Sequence, residues 1–233
     1  MLLKTDGSRL DAATQWILSS DFVFDSSIAK YQLPHDPLHQ HISCHLSEKE
    51  TIMNYGVVVA GGVGTRMGAD KPKQFLTIGN KPIIVHTVEK FVLCNDLEKI
   101  IVLTPSDWIE YTEDILEKNL GDALMKRVAV IEGGATRNET IMNSIDYIEK
   151  NFGLDDDTVI LTHDAVRPFV THRIIKDNIE AVLKYGATDT VIPATDTIVE
   201  AKDGNVISAI PDRSMMYQGQ TPQSFKAKEL RDT

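Results

Sequence analysis

From Tyr55 to Ala194 short, continuous apolar runs alternate with segments of helical period, and this alternation restricts the chain more than any other feature. The runs are Tyr55–Gly61, Lys99–Thr104, Arg127–Gly133, Thr158–Asp164 and Thr188–Ala194, each rich in β-branched residues and read as a buried strand. Between them Ile83, Ile84, Val88, Phe91 and Val92 follow Pro82 at helical spacing, and Asp107–Leu120 and Asn138–Lys150 are also read as helices. Thr171 is placed to cap a further helix carrying Ile175, Ile179, Val182 and Leu183. Apolar strands linked by helices imply a mostly parallel sheet covered on both faces, so the sequence predicts a doubly wound α/β domain. Thr197–Ile210 breaks the rhythm: two alternating runs flank Asp203-Gly204, which predicts a protruding β-hairpin. It is either an ordinary excursion or an arm that grips a second subunit.

Residues 1–54 differ in character, with no clean period beyond a short helix at Asp11–Leu18, and are read as a poorly ordered or non-native extension before the domain at 55–233. They hold His35, His39, His41, Cys44 and His45 close together, which invites a zinc reading, but the spacing matches no closed zinc motif and Pro34 and Pro37 point to a loop. With Cys44 and Cys94 its only cysteines, the chain lacks a disulfide framework. It also lacks an apolar run long enough for a membrane span or a signal peptide, so a cytoplasmic location is expected. The formal charge of −10 disfavours a nucleic-acid surface, whereas Arg66, Lys71, Lys73 and Lys81 against Asp70 make one local cluster suited to a phosphorylated small molecule.

Ligands of an open parallel sheet bind outside the carboxyl ends of its strands, where four polar loops fall. Ala60–Phe75 (AGGVGTRMGADKPKQF) offers Gly61, Gly62 and Gly64 for close backbone approach to phosphates, with Arg66 and Lys73 as cations. It is neither a Walker loop, lacking Gly-Lys-Ser/Thr, nor the dinucleotide fingerprint, because Met67 stands where the third glycine belongs. Gly133–Thr140 (GGATRNET) suits a backbone surface reading a base, with Arg137 and Thr140 nearby, although glycines that merely end a strand would read the same way. Thr162–Phe169 (THDAVRPF) places Asp164 at a strand end as a candidate Mg²⁺ ligand and Arg167 as an anion-binding cation; His163 is read as a packed or orienting residue. Tyr217–Phe225 (YQGQTPQSF) is read as a structured loop near the site.

Together AGGVGTRMGADKPKQF, GGATRNET, HDAVRP and QTPQSF resemble, in order and spacing, the cytidylyltransferases that join CTP to a polyol phosphate, over roughly 180 residues. The resemblance implies a Rossmann-like nucleotidyltransferase fold and a homodimer. It puts the triphosphate on Gly61, Gly62, Gly64 and Thr65, with Arg66 and Lys73 as the catalytic basic pair. It further implies cytidine near Ala60, Gly61, Gly134 and Thr140, nucleotide contact by Arg137, a divalent cation such as Mg²⁺ on Asp164, and Arg167 beside the acceptor. The two branches of the family use 2-C-methyl-D-erythritol 4-phosphate, an isoprenoid precursor, or ribitol 5-phosphate, a teichoic-acid precursor. Where the methylerythritol enzymes have a phosphate-binding arginine before an Asp-Thr pair, this chain has Thr195, Asp196 and Thr197. That difference, the Trp108 segment and YQGQTPQ favour ribitol 5-phosphate. Because the sequence stops at Thr233, soon after QTPQSF, the domain is expected to be truncated at its C-terminus, and an impaired nucleotide-binding fragment is the alternative expectation.

Overall fold

A computed structural model of the chain describes residues 2–4, 53–62 and 71–231. The expected helix at Asp11–Leu18 and the His/Cys cluster lie outside the described residues. The elements are β1 (Leu2–Lys4), β2 (Asn54–Val59), β3 (Thr77–Ile78), β4 (Lys81–Pro82), α1 (Ile83–Val92), β5 (Lys99–Thr104), α2 (Ile109–Leu120), α3 (Asp122–Met125) and β6 (Val128–Glu132). They continue with α4 (Arg137–Phe152), β7 (Val159–Asp164), α5 (His172–Tyr185), β8 (Ala187–Pro193), β9 (Tyr217–Lys226) and α6 (Ala227–Arg231). Every strand and helix expected between Tyr55 and Ala194 forms, with ends shifted by a few residues.

Seven strands make one sheet in the order β1-β8-β9-β7-β2-β5-β6. β7, β2, β5 and β6 pair in parallel, as their uninterrupted apolar sequences require. One face buries Val58, Val102 and Leu161 against α1, α2 and α5; the other buries Tyr55, Val57 and Ile160 against Ile141, Ile145 and Ile148 of α4 and Leu230 of α6. A Cβ at Gly56 would come within 2.6 Å of the Phe91 ring, so glycine in β2 is what lets α1 pack this closely. From β2 the chain moves outward to β5 and β6, then returns through α4 to β7 on the other side of β2. That reversal opens the crevice in which such sheets bind ligands.

Three features depart from expectation. Tyr217–Lys226 is not a loop but β9, inserted between β7 and β8 and antiparallel to both. Its glycine and proline hide the strand in the sequence; partners on both sides supply the pairing that its own pattern does not advertise. Leu2–Lys4, assigned to the extension, pairs antiparallel with Thr188–Thr190 at the sheet edge. The 197–210 segment does turn at Asp203-Gly204, where Asp203 Oδ1 accepts from the N–H groups of Asn205 and Val206, but its cross-pairing is the bridge Glu200–Ala209 rather than a ladder. Among the described residues no helix is long and apolar enough to cross a membrane.

Candidate active site

The site is built where β2 and β7 end side by side, Val59 opposite Asp164. Across from them, Thr136 begins α4 with a capping box: its hydroxyl accepts from the Glu139 N–H at 3.2 Å, and the Glu139 carboxylate accepts from the Thr136 N–H at 3.3 Å. Arg137 is thereby fixed as the first residue of the helix. Its Nη1 donates to Asp164 Oδ1 at 2.9 Å and its Nη2 to Gln223 Oε1 at 3.1 Å. On the other side Arg167 Nε donates to Asp164 Oδ2 at 2.8 Å and Nη1 to Gln220 Oε1 at 2.6 Å. Burial pushes the Asp164 carboxyl up, yet the two guanidinium groups outweigh it and hold the group below its ordinary value. The cluster therefore presents two cations around one carboxylate, an excess of positive charge in a protein of net charge −10.

His163 is buried beneath this cluster against Phe91. Burial pushes its pKa down to about 4, so at neutral pH the ring is uncharged and Nε2–H donates to the Arg167 carbonyl at 3.0 Å. The orienting role read from the sequence is what its contacts show: it pins the turn that carries Arg167.

The glycine loop leaves β2 with Ala60 N–H donating to Leu103 O at 2.7 Å and Ala60 O accepting from the buried Gln74 amide at 2.7 Å. Gln74 thus ties the two ends of the loop together. Lys73 opens the short 3-10 turn at Lys73–Phe75, and its Cε lies 3.6 Å from where a Cβ on Gly62 would sit. Gly61 and Gly62 are exposed, as a phosphate cradle requires. Gly64, Thr65 and Arg66 lie outside the described residues. In the second loop Gly134 N–H donates to Thr140 Oγ1 at 3.0 Å, and that hydroxyl donates to Thr136 O at 2.8 Å. A Cβ on Gly134 would fall 2.2 Å from Glu139 Cβ, so only glycine fits over the start of α4.

The fold thus unites Arg137, Asp164 and Arg167, and brings the Ala60–Gly62 and Gly134–Thr140 loops to the same end of the sheet. Thr195 is exposed beyond β8, its carbonyl accepting from Arg213 Nη1 at 2.9 Å, and no contact among the described residues joins it to Asp164. Gln220 and Gln223, which orient the two arginines, carry no local signal beyond their amide-rich run; their strand pairing is what aims them. Asp189 likewise gives no local signal, being a lone acid in an otherwise strand-like run. As to a metal, the described residues contain no group of three carboxylate, histidine or cysteine ligands, so no all-protein cage is present among them. Each Asp164 oxygen accepts one guanidinium bond and retains a lone pair, which fits Mg²⁺ bound through one carboxylate and substrate phosphates.

A sequence profile of the 2-C-methyl-D-erythritol 4-phosphate cytidylyltransferase (IspD) family matches residues 55–233. Among solved structures, the 4-diphosphocytidyl-2C-methyl-D-erythritol synthase of Anaerococcus prevotii is 26% identical with a TM-score of 0.62, covering 77% of this chain and 72% of its own. The 2-C-methyl-D-erythritol 4-phosphate cytidylyltransferase of Francisella tularensis is 25% identical with a TM-score of 0.60, over 77% and 75% of the two chains. That of Thermus thermophilus is 25% identical with a TM-score of 0.53, over 77% and 74%. These relatives carry the methylerythritol name and lend no support to the ribitol preference. The profile match spans most of the chain and the solved structures share its fold, and the chain belongs to the 2-C-methyl-D-erythritol 4-phosphate cytidylyltransferase family of CTP-dependent nucleotidyltransferases.

Proposed function

We propose that this chain joins the cytidylyl group of CTP to 2-C-methyl-D-erythritol 4-phosphate and releases pyrophosphate. The observation that carries the reading is Asp164 held between Arg137 and Arg167 at the mouth of the crevice, with Lys73 beside the glycine loop. In this reading a phosphate oxygen of the acceptor attacks the α-phosphorus of CTP. The bond from that oxygen to phosphorus forms as the bond to the β-phosphate oxygen breaks, and pyrophosphate leaves with the electron pair. No proton transfer is needed when the acceptor phosphate is ionised, so catalysis consists of positioning and charge neutralisation.

The N–H groups of Gly61, Gly62, Gly64 and Thr65 take the triphosphate, and Ala60, Gly134, Arg137 and Thr140 surround the cytidine. Lys73 and Arg66 stabilise the charge that builds on the α-phosphate, and Arg167 faces the acceptor. Mg²⁺, when bound at Asp164, would neutralise phosphate charge. Lys73→Ala is expected to lower CTP turnover at least ~100-fold in a pyrophosphate-release assay, the scale of losing one preorganised donor. Undiminished turnover would remove Lys73 from the mechanism.

A second acceptor has one specific observation in its favour. Thr195 provides a hydroxyl and no charge where the resemblance calls for a phosphate-binding arginine, which favours ribitol 5-phosphate. The same assay with each acceptor separates them: pyrophosphate released only with ribitol 5-phosphate would replace the first reading, and release with neither would leave nucleotide binding alone. We further place the catalytic machinery within residues 55–233, to whose sheet Leu2–Lys4 and Asn54 add pairing, and read the 197–210 arm as a homodimer contact.

A further inference from the structure

Asp189 lies in β8 opposite Gln223 of β9, on the sheet face that also carries Thr162 and Asp164 of β7. It is only 8% exposed, and both carboxylate oxygens are sealed from solvent with no hydrogen-bond partner among the described residues. Just beyond it the β8–β9 register shifts, so that Asp189 pairs with Gln223 while Val191 pairs with Gly219. The extra residues of β9 include Gln220, whose amide oxygen receives Arg167. Such irregularities re-aim side chains beside active sites.

An unpaired buried carboxylate costs stability, and an apolar residue would suit this face better, next to Ala187 and Phe225 of the core. Its neighbours suggest what the cost sustains. A guanidinium has only donors, so Gln223 must turn its oxygen toward Arg137, which leaves its NH₂ pole for another acceptor. Asp189, directly across the strand pair, is the carboxylate placed to serve as that acceptor, and the Gln223 amide and Thr190 N–H partly offset the effect of burial on its carboxyl. Because its oxygens are shielded, Asp189 does not face a ligand; its route to the site runs through Gln223 and through its charge on Arg137. In a desolvated site the orientation of an amide beside a carboxylate is strongly biased.

We infer that Asp189 is a positioning residue that sets the Gln223 amide and thereby holds Arg137 against Asp164, extending the nucleotide site across β8, β9 and β7. The effect on CTP rests on the function proposed above; the effect on Arg137 does not.

The test uses the full chain and its Asp189→Leu and Asp189→Asn variants, with two readouts. The first is the guanidinium ¹⁵N–¹H signal of Arg137 without nucleotide, assigned by its loss in Arg137→Lys. It is expected to be sharp in the parent and in Asp189→Asn, whose amide oxygen still accepts from Gln223, and broadened in Asp189→Leu. The second is KM for CTP, expected to rise about 10-fold in Asp189→Leu, the scale of one hydrogen bond, and less than about 3-fold in Asp189→Asn. A merely structural residue would lower stability when replaced, whereas here unfolding midpoints are expected to hold or rise in both variants. An unchanged Arg137 signal in Asp189→Leu, or equal damage by Asn and Leu, would overturn the inference. Failure of the parent to bind CTP would instead sink the functional reading and leave the Arg137 result to judge this one. Should Asp189→Leu not fold, Gln223→Leu must broaden the Arg137 signal in the same way, and a sharp signal there refutes the proposal.

Discussion

At the scale of single residues, Asp189 and His163 couple stability to pH in opposite directions. Burial pushes the Asp189 carboxyl up to about 7, against roughly 3.9 in the unfolded chain. The native state therefore keeps this proton longer than the unfolded state, and stability from this group falls as pH rises from about 4 through 7. His163, pushed down to about 4, stays neutral in the native state while the unfolded ring protonates near 6.5, so its contribution is lost as pH falls through that window. Comparison with Asp189→Asn isolates the first effect, since His163 is common to both proteins. The variant is expected to be the more stable, and its advantage in urea unfolding to be about 1 kcal/mol larger at pH 8 than at pH 6. Equal advantage at both values would mean that Asp189 does not titrate in this range. His163 was legible as an orienting residue because it adjoins Asp164 in one motif. Asp189 was not, because its neighbours come from strands more than thirty residues further on and from the start of α4.

Among the elements, α4 carries the clearest link from local sequence to site. Thr136 and Glu139 stand in capping-box spacing, and they close reciprocal bonds that start the helix at Arg137. Thr136→Ala is expected to cost about 1 kcal/mol of stability, measured by denaturant unfolding. It should also weaken CTP binding, because the fraying turn is the one that aims Arg137 at Asp164 and carries Thr140. If stability falls while the calorimetric CTP affinity stays at the parent value, the cap serves the fold alone. β9 shows the reverse relation. Gly219 and Pro222 interrupt its apolar pattern, so the sequence suggests a loop, yet Gln223 to Lys226 pair with β7 and Gln223 to Phe225 with β8. Burial between two strands imposes extension on residues that would not choose it alone.

Across the whole molecule the arm leaves the sheet with Val199, Val206, Ile207 and Ile210 each at least half exposed. Such a concentration of apolar side chains on a segment with so little internal pairing is suited to burial against another copy of the chain. Sedimentation is expected to give a dimer, and Val206→Asp with Ile207→Asp to shift it toward monomer with little change in the unfolding midpoint of the domain. A parent that sediments as a monomer would refute the dimer.

The order of elements from β2 to β8 and the loops that carry the chemistry are local matters. They follow from apolar periodicity, from glycine where backbone must approach a ligand, and from caps only a few residues long, so the sequence alone determined them. What tertiary structure decided was which groups meet: β9 between β7 and β8, the two arginines on one carboxylate, the two glutamines that aim them, and Asp189 behind. Apart from Arg167, three residues from Asp164, the hydrogen-bonded partners across the site are 27 to 86 residues apart, as in Arg137–Asp164 and Arg137–Gln223. A contact of that span leaves no periodic trace, because its energy depends on the strand order that brings the residues together.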